Sequence, residues 1–331
     1  MYIIPPILLL LLLATTSPST AAAVPNNDSK KKLGDKKAGD DHSPKYFHEA
    51  GSTAELGHYD GRYFREAVPY AQHRPALRHL IRSWLATARE LGVETWLAHG
   101  TLLGWWWNGR VMPWDYDIDV QMPTATLSYL GRHFNRTLHD YRFLAEASDF
   151  PNADADANPG AGFGSNGGGD GEALAGLYVN KTYLLDVNPH HADAQRGNGA
   201  NVIDARWIDV SNGLFIDITG LMEREAAERP GIWSCKNAHR YRTTELYPVR
   251  RTQFEGVPAA VPFAFDKILT DEYGQKSLVN TEWSGHRWMP ELKEWVKTPE
   301  LIEEEEEAKL EKQKDDNAVV VVVEKTVVKG A

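Results

Sequence analysis

Asp115, Asp117 and Asp119 stand at alternate positions in the stretch PWDYDIDVQ, residues 113 to 121. Two unit charges about 4 Å apart repel by about 4 kcal/mol at an effective dielectric of ~20. Three carboxylates held in phase therefore call for a compensating cation. On an extended strand alternate side chains share a face, about 6.6 Å apart, which puts the three Asp and Gln121 on one side. Tyr116, Ile118, Val120 and Met122 take the other side, apolar enough to face a core, so the acids should open on a cleft. Oxygen-only ligands suit Mg²⁺ or Mn²⁺ better than zinc, and a metal held by one or two carboxylates completes its shell with substrate phosphates. The competing reading is a solvated acidic edge strand.

Something must position these acids. Leu77, Leu80, Ile81, Trp84, Leu85, Ala88 and Leu91 recur at helical spacing between Pro75 and Gly92, predicting an amphipathic helix over 74–91. VETWLA then reads as a strand and HGTLLG as a glycine-flanked turn. The acidic strand follows over 115–121, and then a helix from about Pro123 to Asn135. Later segments LYVNKTYLLDV, NVIDARWIDV and LFIDITGL alternate like strands. In the last, Asp217 falls on the face opposite Leu214, Ile216 and Ile218, which makes it a candidate third acid, with Asp204 and Asp209 as competitors. A further helix is expected near Phe265 to Tyr273.

Composition bounds the rest. The 331 residues carry a formal net charge of -10 and no basic stripe, which excludes a nucleic-acid binder, because phosphate contacts need clustered Lys and Arg. Residues 1–23 have a short apolar run followed by small residues, a signal-peptide pattern too short to span a bilayer as a helix, with a membrane anchor as the alternative. Sequons at Asn27, Asn135 and Asn180 fit a lumenal or secreted chain. Residues 24–60 read as a flexible linker, 151–171 as a disordered Gly/Asn/Asp insertion, and 299–331 as a solvated acidic tail. A single thiol, Cys235, permits no internal disulfide; with His239 alone it makes a poor structural zinc site, so both read as core packing. Trp105, Trp106 and Trp107 are consecutive and cannot all face one sugar or base.

Strand, glycine turn, paired acids and a later third acid form the arrangement of a metal-dependent phosphoryl-transfer site. The run HGTLLGWWWNGRVMPWDYDIDVQMP, with RWIDVSNGLFIDITGL and FEGVPAAVPFAFDKILTDEYG after it, resembles the LicD family over roughly residues 65–290. The family includes phosphocholine transferases, the fukutin group and fungal proteins of cell-wall mannosyl phosphorylation; the acidic tail and secretory terminus look most like that fungal branch.

The resemblance implies an α+β, nucleotidyltransferase-like fold, a mixed sheet flanked by helices, in a catalytic domain over 61–298. It implies transfer of a phosphorylated sugar or alcohol from a nucleotide-activated donor to a glycan hydroxyl, with a divalent cation, in the secretory lumen and foremost the Golgi. Carried over by position, Asp117 and Asp119 would be metal ligands, with Asp115 a ligand or a neighbour of one, and Asp217 a ligand or the base. Gly100, Thr101 and Gly104 would shape the phosphate-binding turn, Arg110 would pair with a phosphate, and His99 would orient a phosphate or the acceptor. Alternatives are a non-catalytic regulator on the same fold, working within a transferase complex, and a carbohydrate-binding protein that uses its tryptophans.

Overall fold

The structure is a computed structural model that describes residues 44–146, 149, 176–196 and 200–308. The expected signal segment, most of the expected linker and insertion, and the end of the tail lie outside these residues. Among the described residues, strands β1 to β13 and helices α1 to α5, numbered in chain order, with a further helical stretch over 299–308, build a mixed α+β fold.

Its centre is a six-stranded sheet in the order β1-β2-β6-β5-β4-β3. The strands are β1 (Trp96–Leu97), β2 (Ile118–Pro123), β3 (Thr137–Leu144), β4 (Tyr178–Val187), β5 (Ala205–Asp209) and β6 (Phe215–Leu221). Only β2 and β6 run parallel; every other neighbouring pair is antiparallel.

Strand periodicity sorts the two faces. Ile118, Val120, Leu185, Trp207, Ile216 and Ile218 point to one side and are buried in the main core. The long helix α1 (Tyr70–Glu90) lies against that face and starts one turn before Pro75. Its Trp84 packs on Trp207, with ring centroids 5.5 Å apart, and Ser83 Oγ accepts the Trp207 indole N–H at 2.9 Å. Fully burying side chains of this size stabilises by about 1.5–3 kcal/mol each. Helix α3 (Thr124–His133) covers the same face beside it, where a Cβ on Gly220 would sit 2.7 Å from Leu127 Cδ1.

The opposite face carries a row of charges crossing four strands in register: Asp119, Asp217, Arg206 and Asp186. Residues 44–64 lie over it, which corrects the expectation of a flexible linker to residue 60. Phe47, Tyr59 and Asp60 are buried, and Arg206 is 1% exposed. The Arg206 guanidinium is held by Glu49 at 2.7 Å and Asp217 at 3.0 Å, and sits over the Phe215 ring at 3.6 Å. Arg62 bridges Asp60 at 2.8 Å and Asp186 at 2.6 Å. The segment is polar in composition yet ordered, because its charges find opposite charges on the sheet.

The remaining elements are the hairpins β7 (Ile232–Ser234) with β8 (Arg240–Arg242) and β9 (Arg250–Phe254) with β10 (Val257–Val261), and the short helix α4 (Thr243–Leu246). Helix α5 (Phe265–Tyr273) precedes a three-stranded sheet of β11 (Glu282–Trp283), β12 (His286–Met289) and β13 (Glu294–Lys297). The first part of the expected tail, 299–308, is helical and is tied down by Glu305 to Lys297 at 2.6 Å. Among the described residues no helix is long and apolar enough to cross a membrane.

Candidate functional site

The stretch HGTLLGWWWN is not a turn but helix α2, His99–Asn108, which corrects the sequence reading. The chain leaves the extended Ala98, takes His99 through a left-handed φ of 50°, and coils until Gly109, in the left-handed region, ends the helix. Both glycines of the motif act by close approach. A Cβ on Gly100 would lie 3.3 Å from Asp115 Oδ2, and one on Gly104 would meet the Arg110 carbonyl oxygen at 2.4 Å. Backbone cannot move aside as a flexible side chain can, so any side chain at 104 would push the helix off the loop beneath it.

That loop carries two of the acids. Strand β2 begins only at Ile118, so Asp115 and Asp117 precede it, and the even spacing along one strand does not hold for them. The Asp115 N–H closes a turn on Met112 O at 3.1 Å, which folds its carboxyl back under Gly100. Asp119 lies in β2, and its N–H donates to Thr101 Oγ1 at 2.9 Å. Directly across the parallel pairing stands Asp217 in β6. Of its competitors, Asp204 is buried against Lys236 at 2.8 Å and accepts the Gly220 N–H, and Asp209 is tied to Lys181. Both are structural partners; Asp217 is the acid beside Asp119.

The electrostatics follow from crowding. Burial pushes Asp115 up to about 7, and Asp117 adds to it. Burial also holds Asp119 well above the usual carboxylate range, assisted by Asp117, Asp217 and Asp115 and opposed by His99. Asp217 is raised by burial and held back by Arg206. Among the described residues no cation is seated on Asp115, Asp117 or Asp119. Their mutual repulsion is felt in the raised pKa values, although the three carboxylates do not converge within 4.8 Å of one another.

A pH dependence follows. From about pH 4 to 7 the unfolded chain has Asp115 ionised while the folded protein keeps it protonated. The folded state then binds more protons, so stability falls as pH rises through this window, by up to about 1.4 kcal/mol per pH unit for one such group. Urea melts in the presence of chelator should show this slope, and Asp115→Asn should flatten it; an unchanged slope in the variant refutes the assignment.

His99 is not free to meet a ligand with both nitrogens. Its Nδ1 lies 3.0 Å from Glu272 Oε2, and the Gln121 amide is 3.4 Å from Nε2. Burial disfavours its charged form, but Glu272, Asp119 and Asp117 outweigh that and raise its pKa. Arg110 departs from its expected role. It lies beyond the far end of α2, about 15 Å of helix from His99, more than half exposed and paired with Glu294. The tryptophans are packing residues: Trp105 bonds Thr252, Trp107 meets Trp288 at a tilt and Trp295 edge-on, and Trp106, 39% exposed, donates to the Leu278 carbonyl. Arg206, which holds Asp217, and Glu49 and Asp60, which hold Arg206, were missed in the sequence. Their signal was the pairing of Arg206 with Asp217 two strands into an alternating pattern.

Residues 92–150, which span β1, α2, β2, α3 and β3, match the family described as LicD/FKTN/FKRP, nucleotidyltransferase domain. The chain is 34% identical over 192 residues to mannosyltransferase regulator 4 of Saccharomyces cerevisiae, an overlap of 56% of this chain and 14% of that protein. It is 35% identical over 185 residues to mannosyltransferase regulator 14 of the same yeast, 54% of this chain and 16% of the relative. The chain thus spans roughly a seventh of the length of these curated relatives.

Proposed function

We propose, for a chain that is a LicD-type protein similar to yeast mannosyltransferase regulators, that it transfers a phosphorylated sugar or alcohol from a nucleotide-activated donor to a glycan hydroxyl. The observation that carries this reading is the register that sets Asp119 beside Asp217, with Asp117 one residue before β2. Asp117 and Asp119 would hold Mg²⁺ or Mn²⁺, with Asp115 beside them. When bound, such an ion would supply charge neutralisation for the donor's phosphates and the leaving nucleotide.

The chain's own groups supply the rest. At the start of α2 the amides of His99, Gly100 and Thr101 have no intrahelical acceptor and stand next to the acids, a site for phosphate oxygens. Asp217 gives Oδ1 to Arg206 and keeps Oδ2 for a substrate. That oxygen takes the proton of the acceptor hydroxyl as its oxygen bonds to phosphorus, and a nucleoside monophosphate departs with the electron pair of the broken P–O bond. The site would work on glycan in the secretory lumen, the Golgi foremost.

The word regulator in the relatives' names favours a second reading, a fold that binds and controls a separate mannosyltransferase. One experiment separates the two. Purified protein is incubated with a panel of CDP-alcohols and GDP-sugars and a mannan acceptor, with and without Mn²⁺. Metal-dependent release of nucleoside monophosphate supports transfer. No release from any donor, with retained binding to a transferase, supports regulation.

A further inference from the structure

Glu272, the last acid of helix α5, reaches His99 from one side, and His239 reaches it from another. Potential metal-binding atoms of the three residues lie within 4.8 Å of one another, the sole group of that kind among the described residues. They come from three segments far apart in the chain, and the two histidine rings are 4.5 Å apart. Both histidines are presented by unusual backbone: His99 itself has φ 50°, and Ala238, just before His239, has φ 66°. Non-glycine residues occupy this region at an energetic cost that the surrounding fold must impose.

Each of the three has a further partner that orients it. The Tyr241 hydroxyl donates to Glu272 Oε1 at 2.8 Å, leaving Oε2 toward His99 Nδ1. Cys235 Sγ lies 3.3 Å from His239 Nδ1, leaving Nε2 without a hydrogen bond among the described residues. The Gln121 amide sits 3.4 Å from His99 Nε2. Outer partners on the second atom of each ligand are the arrangement that fixes histidines and carboxylates around a metal. The sequence offered Cys235 and His239 alone, too few for a site; the fold supplies Glu272 and His99.

We propose that His99 Nδ1, His239 Nε2 and Glu272 Oε2 bind a transition-metal ion of the zinc class, separate from the hard cation expected at the aspartates. Two imidazoles and one carboxylate are a donor set zinc accepts with the fourth position open to solvent or substrate. Tetrahedral bonds of about 2.0–2.2 Å set donor atoms about 3.4 Å apart, so the His99–Glu272 pair at 3.0 Å opens slightly and the group, now spanning up to 4.8 Å, tightens around the ion. The proton shared by His99 and Glu272 leaves to solvent as the metal takes its place. Cys235 remains an outer partner and no sulfur–metal bond forms.

The test uses the untagged full chain, stripped with chelator and loaded with Zn²⁺ or Co²⁺. Wild type should retain one equivalent through gel filtration, and its Co²⁺ form should show four- or five-coordinate visible bands without a thiolate charge-transfer band. His239→Gln and Glu272→Gln should each weaken binding at least tenfold while circular dichroism stays native. Asp117→Asn should keep the zinc, which separates this site from the aspartates whatever they do. Absence of retained metal in wild type, an octahedral Co²⁺ spectrum, or equal retention in His239→Gln would each overturn the proposal and leave a hydrogen-bonded cluster.

Discussion

Replacing Asp119 with asparagine should abolish the proposed transfer and at the same time raise the melting temperature of the metal-free protein. The two effects share one cause. Asp119 faces Asp217 across the parallel pairing and is held well above its ordinary pKa by burial and by its acidic neighbours. A pKa raised on folding means that, above the unfolded value, the folded state favours the proton more than the unfolded chain does, and this costs stability as pH rises. Asparagine matches the shape of the neutral acid without that cost, but it offers a divalent ion a poorer ligand and no charge.

Added Mn²⁺ tests the same residue in the opposite direction. At 100 times Kd a ligand stabilises by about 2.7 kcal/mol, which for a domain of this size is a shift of about 5–10 °C. Wild type should show it, and Asp119→Asn and Asp117→Asn should lose most of it. Asp217→Asn should be equally inactive yet keep part of the shift if the residue accepts a proton and does not hold the ion. Variants that melt like wild type with and without Mn²⁺, and still transfer, would make the acids a solvated edge.

The largest effect on stability is expected at Arg206. Its guanidinium is 1% exposed and satisfies Glu49, Asp217 and, at 3.6 Å, Asp60. Glu49 is held down to about 2, with burial opposing and Lys45 and Arg206 prevailing. Arg206→Met keeps the apolar packing on Phe47 and Phe215 but leaves Asp217 without its cation, while Glu49 keeps Lys45 and Asp60 keeps Arg62. Breaking a buried pair from one side costs about 3–5 kcal/mol, about 10 °C in melting temperature. Adding Glu49→Gln should return part of the loss, a coupling of about 1–3 kcal/mol. A single variant within 1 kcal/mol of wild type, measured by denaturant melts, would show that the charges are solvated.

The elements legible in the sequence were those with a clean period. The helix expected over 74–91, the strands of β4, β5 and β6, and the helix Phe265–Tyr273 are all present, since each buries one regular face. The pairing of Asp217 with the acidic strand was also reachable, because Ile216 and Ile218 fixed which way Asp217 had to point. HGTLLG misled, because two glycines signal a turn unless the close contacts they permit are known, and those contacts lie with Arg110 and Asp115. The segment 44–64 misled for the complementary reason: charge-rich composition reads as solvated unless the buried charges it meets on β4, β5 and β6 are in view. Arg110 carried no local signal of its partner, which sits far away in β13.

Strands β2 and β6 touch along their whole length, yet Asp119 and Asp217 are roughly 100 residues apart in the chain. On the ribosome, at about 5–20 residues per second, the first acids precede their partner by about 5–20 s. For most of that interval the emerging chain holds the acids of the motif and Glu49 but neither Arg206 nor Asp217. The segment that carries the motif thus lacks its acidic partner until β6 slots between β2 and β5, so a chain truncated after the motif would keep the sequence signature without the Asp119–Asp217 pair.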